Sequence, residues 1–511
     1  MTRRSVLLRV LLPDAAMVVA VFALFYGVLA GDGPQRFFRD SDTGWHIRTG
    51  ESILDRGSLP RSDPYSFTMS GKPWFAWEWG SDVLMGVAHR LDGLSGVALL
   101  YAAAVACATW LWFQLHWVSG GNFFLACAMA SPMLTTLQLH WLARPHVLSW
   151  VYCVAAAVLF ERACARAEND GGIVFRWWHG ALAVLAGILW ANTHASFFLL
   201  PALALMYAAG RLANGWLWSA NNLGSQWLAA VAVYGMAGSF VNPYGAGLHT
   251  HVAAYLVNRE LLSRIGEYQT FNFHGEGTGQ ILLVVLLSLV GAAAAFATRR
   301  ADHFLIVLVF TALALRSARV LPVLALLGLP LANRALTAAL RDADLRPRLR
   351  HWLDTILNYS GRVRAIDASC GGWAVAPLAL FLAFVILHAP ANAARAGFPP
   401  SEFPVQAAVE LENLPEEAKL LAPDKFGGYL IYRFAGRRKV FFDGRSDFYG
   451  VEFMKNYIRL IEARPGWKEQ VTQFGFTHAL LPNRYTLVQG LRDWGWRQRY
   501  RDDVVTLLEK D

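Results

Sequence analysis

Charge is scarce in this chain of 511 residues: Asp, Glu, Lys and Arg make up 16%, against 55% hydrophobic residues. That balance excludes a single water-soluble domain and leaves room for many membrane spans. Cysteine is scarce too. Cys107, Cys127, Cys153 and Cys164 lie in or beside apolar segments and Cys370 just before another, giving neither a disulfide framework nor a CxxC metal site. The glycine signatures of nucleotide binding are missing, with no Walker loop and no GxGxxG after a strand. Repeats and low-complexity tracts are lacking as well. No small-residue cleavage site follows the first apolar run, so the basic start "MTRRSVLLRV" reads as the head of a retained span. The formal charge of +9 would suggest nucleic acid in a soluble protein. In a membrane protein Lys and Arg first record the side on which each loop lies, so membrane lipids are expected as partners and nucleic acid is not.

Runs long enough to cross a bilayer fall near 10–31, 94–117, 122–142, 146–164, 178–194, 196–213, 225–241, 279–298, 302–316, 319–337 and 371–390. About eleven transmembrane helices are expected. Arg3, Arg4 and Arg9 place the N-terminus in the cytoplasm, and alternation then puts most loop Arg residues on that side, including Arg211, "TRRADH" and the segment 333–364. From about 391 the composition turns polar, and short runs such as "AKLLAP", "RKVFFDG" and "THALLP" alternate with the helical stretch "GVEFMKNYIRLIEA". The expected fold class is therefore mainly α: a transmembrane domain over 1–390 with a large outer loop at 31–93, followed by an extracytoplasmic α/β domain over 391–511.

With that orientation the unusual polar clusters gather outside. The first large loop carries "RDSDTGWHIRTGE" and "PWFAWEWGSD", with Asp40, Asp42, Trp45, His46, Glu51 and Glu78. Later outer segments add Arg144 and His146 in "LARPHVLSW", Asn192 and His194 in "WANTHASF", Tyr244 in "VNPYG", Glu267 in "RIGEYQTF", and Arg316 and Arg319 in "LRSARV". Ionisable residues at membrane depth are costly and face a cavity or a partner, so their shared side points to a cavity open to the outside. Each has a plainer role available: helix-end solvation for the Asp pair, an interfacial belt for Trp45, Trp74, Trp77 and Trp79, headgroup contact for Arg144 and Arg316, and pairing with Arg264 for Glu267. Asp63, before Pro64, reads as a loop brace, and Asp443 in "FFDGRSDFYG" as a turn acceptor after a buried strand.

A carboxylate pair at a membrane exit suits a general base or a divalent cation, Mg²⁺ or Mn²⁺, held by hard oxygen ligands. Arginines at the same depth suit a phosphate leaving group. Aromatic faces with His and Asn suit a sugar. The combination describes glycosyl transfer from a lipid phosphate, with a transporter or flippase of lipid-linked glycans, or a non-catalytic scaffold, as alternatives.

An acidic outer loop directly after span one, many spans and a C-terminal outer domain resemble the GT-C superfamily of polyprenyl-phosphate-sugar-dependent glycosyltransferases. More narrowly, "DSDTGWHIRTGE", "DPYSFT", "WEWGSD", "ARPHVLSW", "WANTHASF", "NPYG" and "FFDGRSDFYG" are similar to a family of bacterial membrane proteins of that type. The resemblance implies a polyprenyl-phosphate-linked sugar as donor, a glycan, lipid or protein acceptor, and a bacterial inner-membrane location. It carries the catalytic base or metal ligand onto Asp40 or Asp42; substrate binding by the other outer residues is expected from their own chemistry and shared side. Asp-Ser-Asp stands where the mannosyltransferases have adjacent Asp-Glu, which leaves base against metal ligand open.

Overall fold

The computed structural model describes residues 3–220, 222–275, 277–393 and 395–510. Each apolar run is a helix: Ala15–Leu29, Trp79–Ser119, Phe123–Leu137, His146–Asp170, Trp177–Ala191, Leu199–Trp218, Ser225–Ser239, Gly279–Ala297, Ala301–Arg316, Leu321–Asp342 and Val375–His388. Among the described residues seven helices are long and apolar enough to cross a membrane. The Trp177, Ser225, Ala301 and Val375 helices have only 14 to 16 residues. Apolar side chains such as Phe22, Leu205, Leu286 and Phe381 point outward, where hydrocarbon would meet them. Small residues let the helices close. A Cβ on Gly187 would stand 2.1 Å from the Gly235 carbonyl oxygen, and one on Gly238 as near the Val184 oxygen, as expected where backbone approach and not hydrophobicity drives helix pairing.

Three boundaries differ from the sequence expectation. The first run is split at Pro13, and Asp14 caps the Ala15–Leu29 helix by accepting from the Met17 N–H at 2.8 Å. The second begins at Trp79 and not near 94, because it bends at Asp92 and Gly93 and its outer part belongs to the large loop. "RKVFFDG" is no strand of the C-terminal sheet. Val440 instead forms a lone parallel bridge with Ser66 of the outer loop, donating to the Tyr65 carbonyl at 2.9 Å and accepting from Phe67 at 3.1 Å.

Arg211 and Arg300 do more than mark a side. At the helix ends opposite the outer loops, Arg300 pairs with Asp302 at 2.9 Å, His303 Nε2 meets Glu161 at 2.8 Å, and Arg211 binds Glu168 at 2.8 Å. Those contacts tie the His146, Leu199 and Ala301 helices together, so buried charge is not confined to one side.

The C-terminal part is a mixed four-stranded sheet in the order β1 (Leu420–Leu421), β2 (His478–Pro482), β4 (Val505–Glu509), β3 (Arg497–Arg501), with β1 parallel to β2 and the rest antiparallel. Its helix Asp424–Arg433 lies on the outer-loop helix Asp42–Arg56. Contact is backbone to backbone: a Cβ on Gly44 would fall 2.1 Å from the Gly428 oxygen, and one on Gly428 2.1 Å from the Ser41 oxygen. Arg48 closes the seam through Nε and Nη2, which donate to the Tyr432 carbonyl at 2.9 and 2.8 Å.

Candidate active site

Where span one leaves its bundle, "RDSD" turns into the Asp42–Arg56 helix. Asp40 Oδ1 accepts the Asp42 N–H at 2.9 Å, which satisfies a free donor of the helix start. Asp42 occupies the first turn, where the helix dipole favours a negative charge. Arg144 arrives from the turn before the His146–Asp170 helix and bridges both carboxylates, Nη1 to Asp40 at 2.7 Å and Nη2 to Asp42 at 2.8 Å. Burial pushes the Asp42 carboxyl well above the usual range, the Asp40 charge adds to this, and Arg144 opposes it.

Glu267 stands behind Arg144 at 4.0 Å and pairs with Arg319, not with Arg264. Burial opposes its ionisation, yet the Arg319 and Arg144 guanidiniums hold it down at about 2. Arg319 also donates to the Tyr268 hydroxyl at 3.3 Å and lies 3.5 Å from His194 Nε2. The Ala318 N–H donates to the Gln269 carbonyl at 2.9 Å, which fixes the two loops to each other. Glu78 closes the arc, 3.5 Å from His194 Nε2 and 3.8 Å from His46 Nε2. Burial raises Glu78 to about 7 against the pull of Arg144 and Arg319. Burial and the nearby arginines push His46 and His194 well below the normal histidine range, so both imidazoles are neutral.

These groups surround a cavity of about 1000 Å³. Asp40, Asp42, Trp45, Glu78, Arg144, His146, His194, Glu267 and Arg319 line it. Four residues expected there do not. His46 is fully buried beneath the wall, with Nδ1 2.5 Å from Asp82. Asn192 is structural, accepting from the Trp79 indole at 2.8 Å and donating to the Val241 carbonyl at 2.9 Å. Tyr244 stacks on Phe75 with centroids 3.8 Å apart. Arg316 ends its helix exposed, away from the cavity. Trp45 and Trp74 are buried cavity walls rather than an interfacial belt.

The C-terminal part also reaches the cavity, through Asp424, Lys425, Gly444, Arg445 and Asp447. Arg445 is held by Asp443 at 2.6 Å and by Asp63 of the outer loop at 2.6 Å, all three nearly or fully buried. Asp63 also accepts from Ser66 N at 2.9 Å and Tyr65 N at 3.1 Å, so it braces the loop. Asp443 is an ion-pair partner more than a turn acceptor. The run "DGRSD" carried the signal, but nothing local tells that it meets a loop nearly four hundred residues away.

As a metal site the Asp pair fits poorly. Arg144 already sits between both carboxylates, and among the described residues no three His, Cys, Asp or Glu side chains gather to hold an ion.

The architecture resembles that of the Archaeoglobus fulgidus oligosaccharyltransferase, with a TM-score of 0.57 and 13% identity over 92% of this chain and 69% of that one. The chain shares the fold of that membrane protein. ArnT from Cupriavidus metallidurans aligns over 96% of both chains at 14% identity and a TM-score of 0.43. No protein-family model and no curated protein matches the sequence. In this fold the acidic pair lies in the loop that follows the first membrane helix.

Proposed function

We propose that the protein is a membrane glycosyltransferase that moves a sugar from a polyprenyl-phosphate donor to an envelope acceptor at the outer face of a bacterial inner membrane. The observation that carries this reading is the convergence of Asp40, Asp42 and Arg144 with Arg319 and Glu267 on one cavity.

Asp42 is the base. Its burial strengthens its hold on a proton once it is ionised, and it faces the cavity from a rigid helix end. An acceptor hydroxyl gives its proton to Asp42 as its oxygen bonds to the sugar C1. The bond from C1 to the phosphate oxygen breaks, and the polyprenyl phosphate leaves with the electron pair. Arg144 and Arg319 stand where the leaving oxygen gains charge, and fixed guanidiniums in a water-poor site stabilise that charge strongly. Asp40 holds Arg144 and the helix start in place. The apolar side of the cavity, with Phe198, Leu199, Phe310 and Leu313, suits a prenyl chain.

The test supplies purified protein in lipid nanodiscs with radiolabelled polyprenyl-phosphate hexoses and pentoses and a cell-envelope extract. Release of polyprenyl phosphate that disappears in Asp42→Asn supports the reading. Equal release by parent and variant, with both folded, overturns Asp42 as the base, and no release from any donor overturns the transferase.

A further inference from the structure

Beside the main cavity lies a second hollow of about 250 Å³, lined by Pro73, Trp74, Phe75, His251, Asp447 and Phe448. It belongs to no single part of the chain. Trp74 and Phe75 come from the first outer loop, His251 from the helix Ala246–Val257 of the second, and Asp447 and Phe448 from the C-terminal part. Trp74 and Asp447 line both spaces, so what fills the hollow adjoins what fills the cavity.

We infer that this hollow is the acceptor subsite and that it takes a sugar ring, so the acceptor is a glycan. The inference rests on the glycosyltransferase reading above for the word acceptor, but the chemistry of the hollow is independent of it. Trp74, Phe448 and Pro73 offer apolar surface for the C–H face of a pyranose, whose slightly positive hydrogens suit the negative face of an aromatic ring, while Phe75, stacked between Tyr244 and His251, only walls the hollow. One hydrogen-bonded pair supplies the polar contacts: His251 Nε2 lies 3.1 Å from Asp447 Oδ2. The Asp447 carboxylate lines the hollow, and a carboxylate accepts from neighbouring hydroxyls in charge-assisted hydrogen bonds.

The pair is held rigidly. His251 lies flat on Phe75 with centroids 4.8 Å apart and 8° between the planes, and meets the edge of Trp77 at 4.9 Å. A cationic ligand fits less well, because Arg445 already lies 4.6 Å from the Trp74 ring and 5.0 Å from the Phe448 ring. The space is too small for a folded peptide or a lipid tail. A volume of about 250 Å³ admits a single sugar ring, and the shared Trp74 and Asp447 set that ring beside the cavity that Asp42 lines.

Saturation-transfer NMR on the full-length protein in nanodiscs, with a panel of methyl glycosides and short oligosaccharides, tests this without any turnover. At least one saccharide is expected to receive magnetisation, with binding weakened about tenfold in Asp447→Asn and in Phe448→Leu, both checked for folding by thermal melt. No contact with any saccharide, or contact unchanged in both variants, overturns the subsite. Polyprenyl-phosphate release is measured on the same samples. Release without saccharide binding overturns the subsite and spares the transferase, and binding without release does the reverse.

Discussion

At the residue scale the decisive feature is one carboxylate set between opposing influences. Asp42 must be ionised to take a proton, and burial together with Asp40 raises its affinity for one. With Asp42 as the proposed base, the rate is expected to fall as pH drops through a point above the ordinary Asp range, and the acid limb of kcat/KM should mark it. Asp42→Asn should cost about 10² to 10⁴ in rate, the usual worth of a positioned base. Arg144→Ala removes the group that opposes the rise, so its acid limb should move to higher pH as its rate falls; an unmoved limb would separate Arg144 from Asp42. Glu267 shows the opposite sign. Its carboxyl is held down at about 2, so it contributes stability that is complete above the unfolded glutamate range of about 4.3 and is lost as pH falls toward about 2. Gly444 supplies a stereochemical test. It has φ +83°, and a Cβ there would lie 2.8 Å from Asp42 Oδ1, whereas Gly57, with φ +62°, has open space around it. Both Ala variants should lose about 1 kcal/mol to left-handed strain. Only Gly444→Ala should also lose activity, since displacing a catalytic group by ~1 Å costs roughly 10²-fold. Thermal melts and donor turnover on the two variants check this.

At the scale of elements, the seam between the Asp42–Arg56 and Asp424–Arg433 helices holds the helix that carries Asp42 against the C-terminal part. Gly44→Ala places a Cβ about where the Gly428 carbonyl stands, so the helices must separate. Faster limited proteolysis near 391–424 is expected, while Gly247→Ala, whose Cβ would meet its nearest neighbour at 3.8 Å, should cut like the parent. The Asp63–Arg445–Asp443 cluster makes a second tie across the same boundary. Removing Arg445 leaves two buried carboxylates without their cation, and losing one partner of a buried ion pair typically costs about 3–5 kcal/mol. Arg445→Ala should therefore lower the melting temperature far more than Arg497→Ala at an exposed ion pair, and equal shifts would show that the cluster is not a clamp.

At the scale of the whole molecule, Arg-rich segments fall on one side of the alternation and the cavity lies at the other ends of the helices. The orientation that this distribution predicts puts the C-terminal part outside the cell membrane. An alkaline phosphatase fused after Asp511 is expected to be active. If a cytoplasmic reporter at the same position is active instead, the cavity faces inward and an outer-leaflet donor cannot reach it.

Much of this was legible in the chain itself. Apolar runs located the helices, because a backbone in hydrocarbon must satisfy its own hydrogen bonds. The cost of charge at membrane depth singled out Asp40, Asp42, Arg144, His194, Glu267 and Arg319, all of which line the cavity. Other features depended on distance in three dimensions. His46, Asn192, Tyr244 and Arg316 share the chemistry of site residues, and only the packing around each turns it away from the cavity. Asp63, Arg445 and Asp447 lie in runs that look like ordinary turns. The sequence determined the membrane helices and the acidic pair, since hydrophobicity and charge are local properties. Tertiary structure decided which carboxylate is buried, which cation meets it and that the C-terminal part completes the wall, because each of those is a contact between segments that the chain does not place side by side.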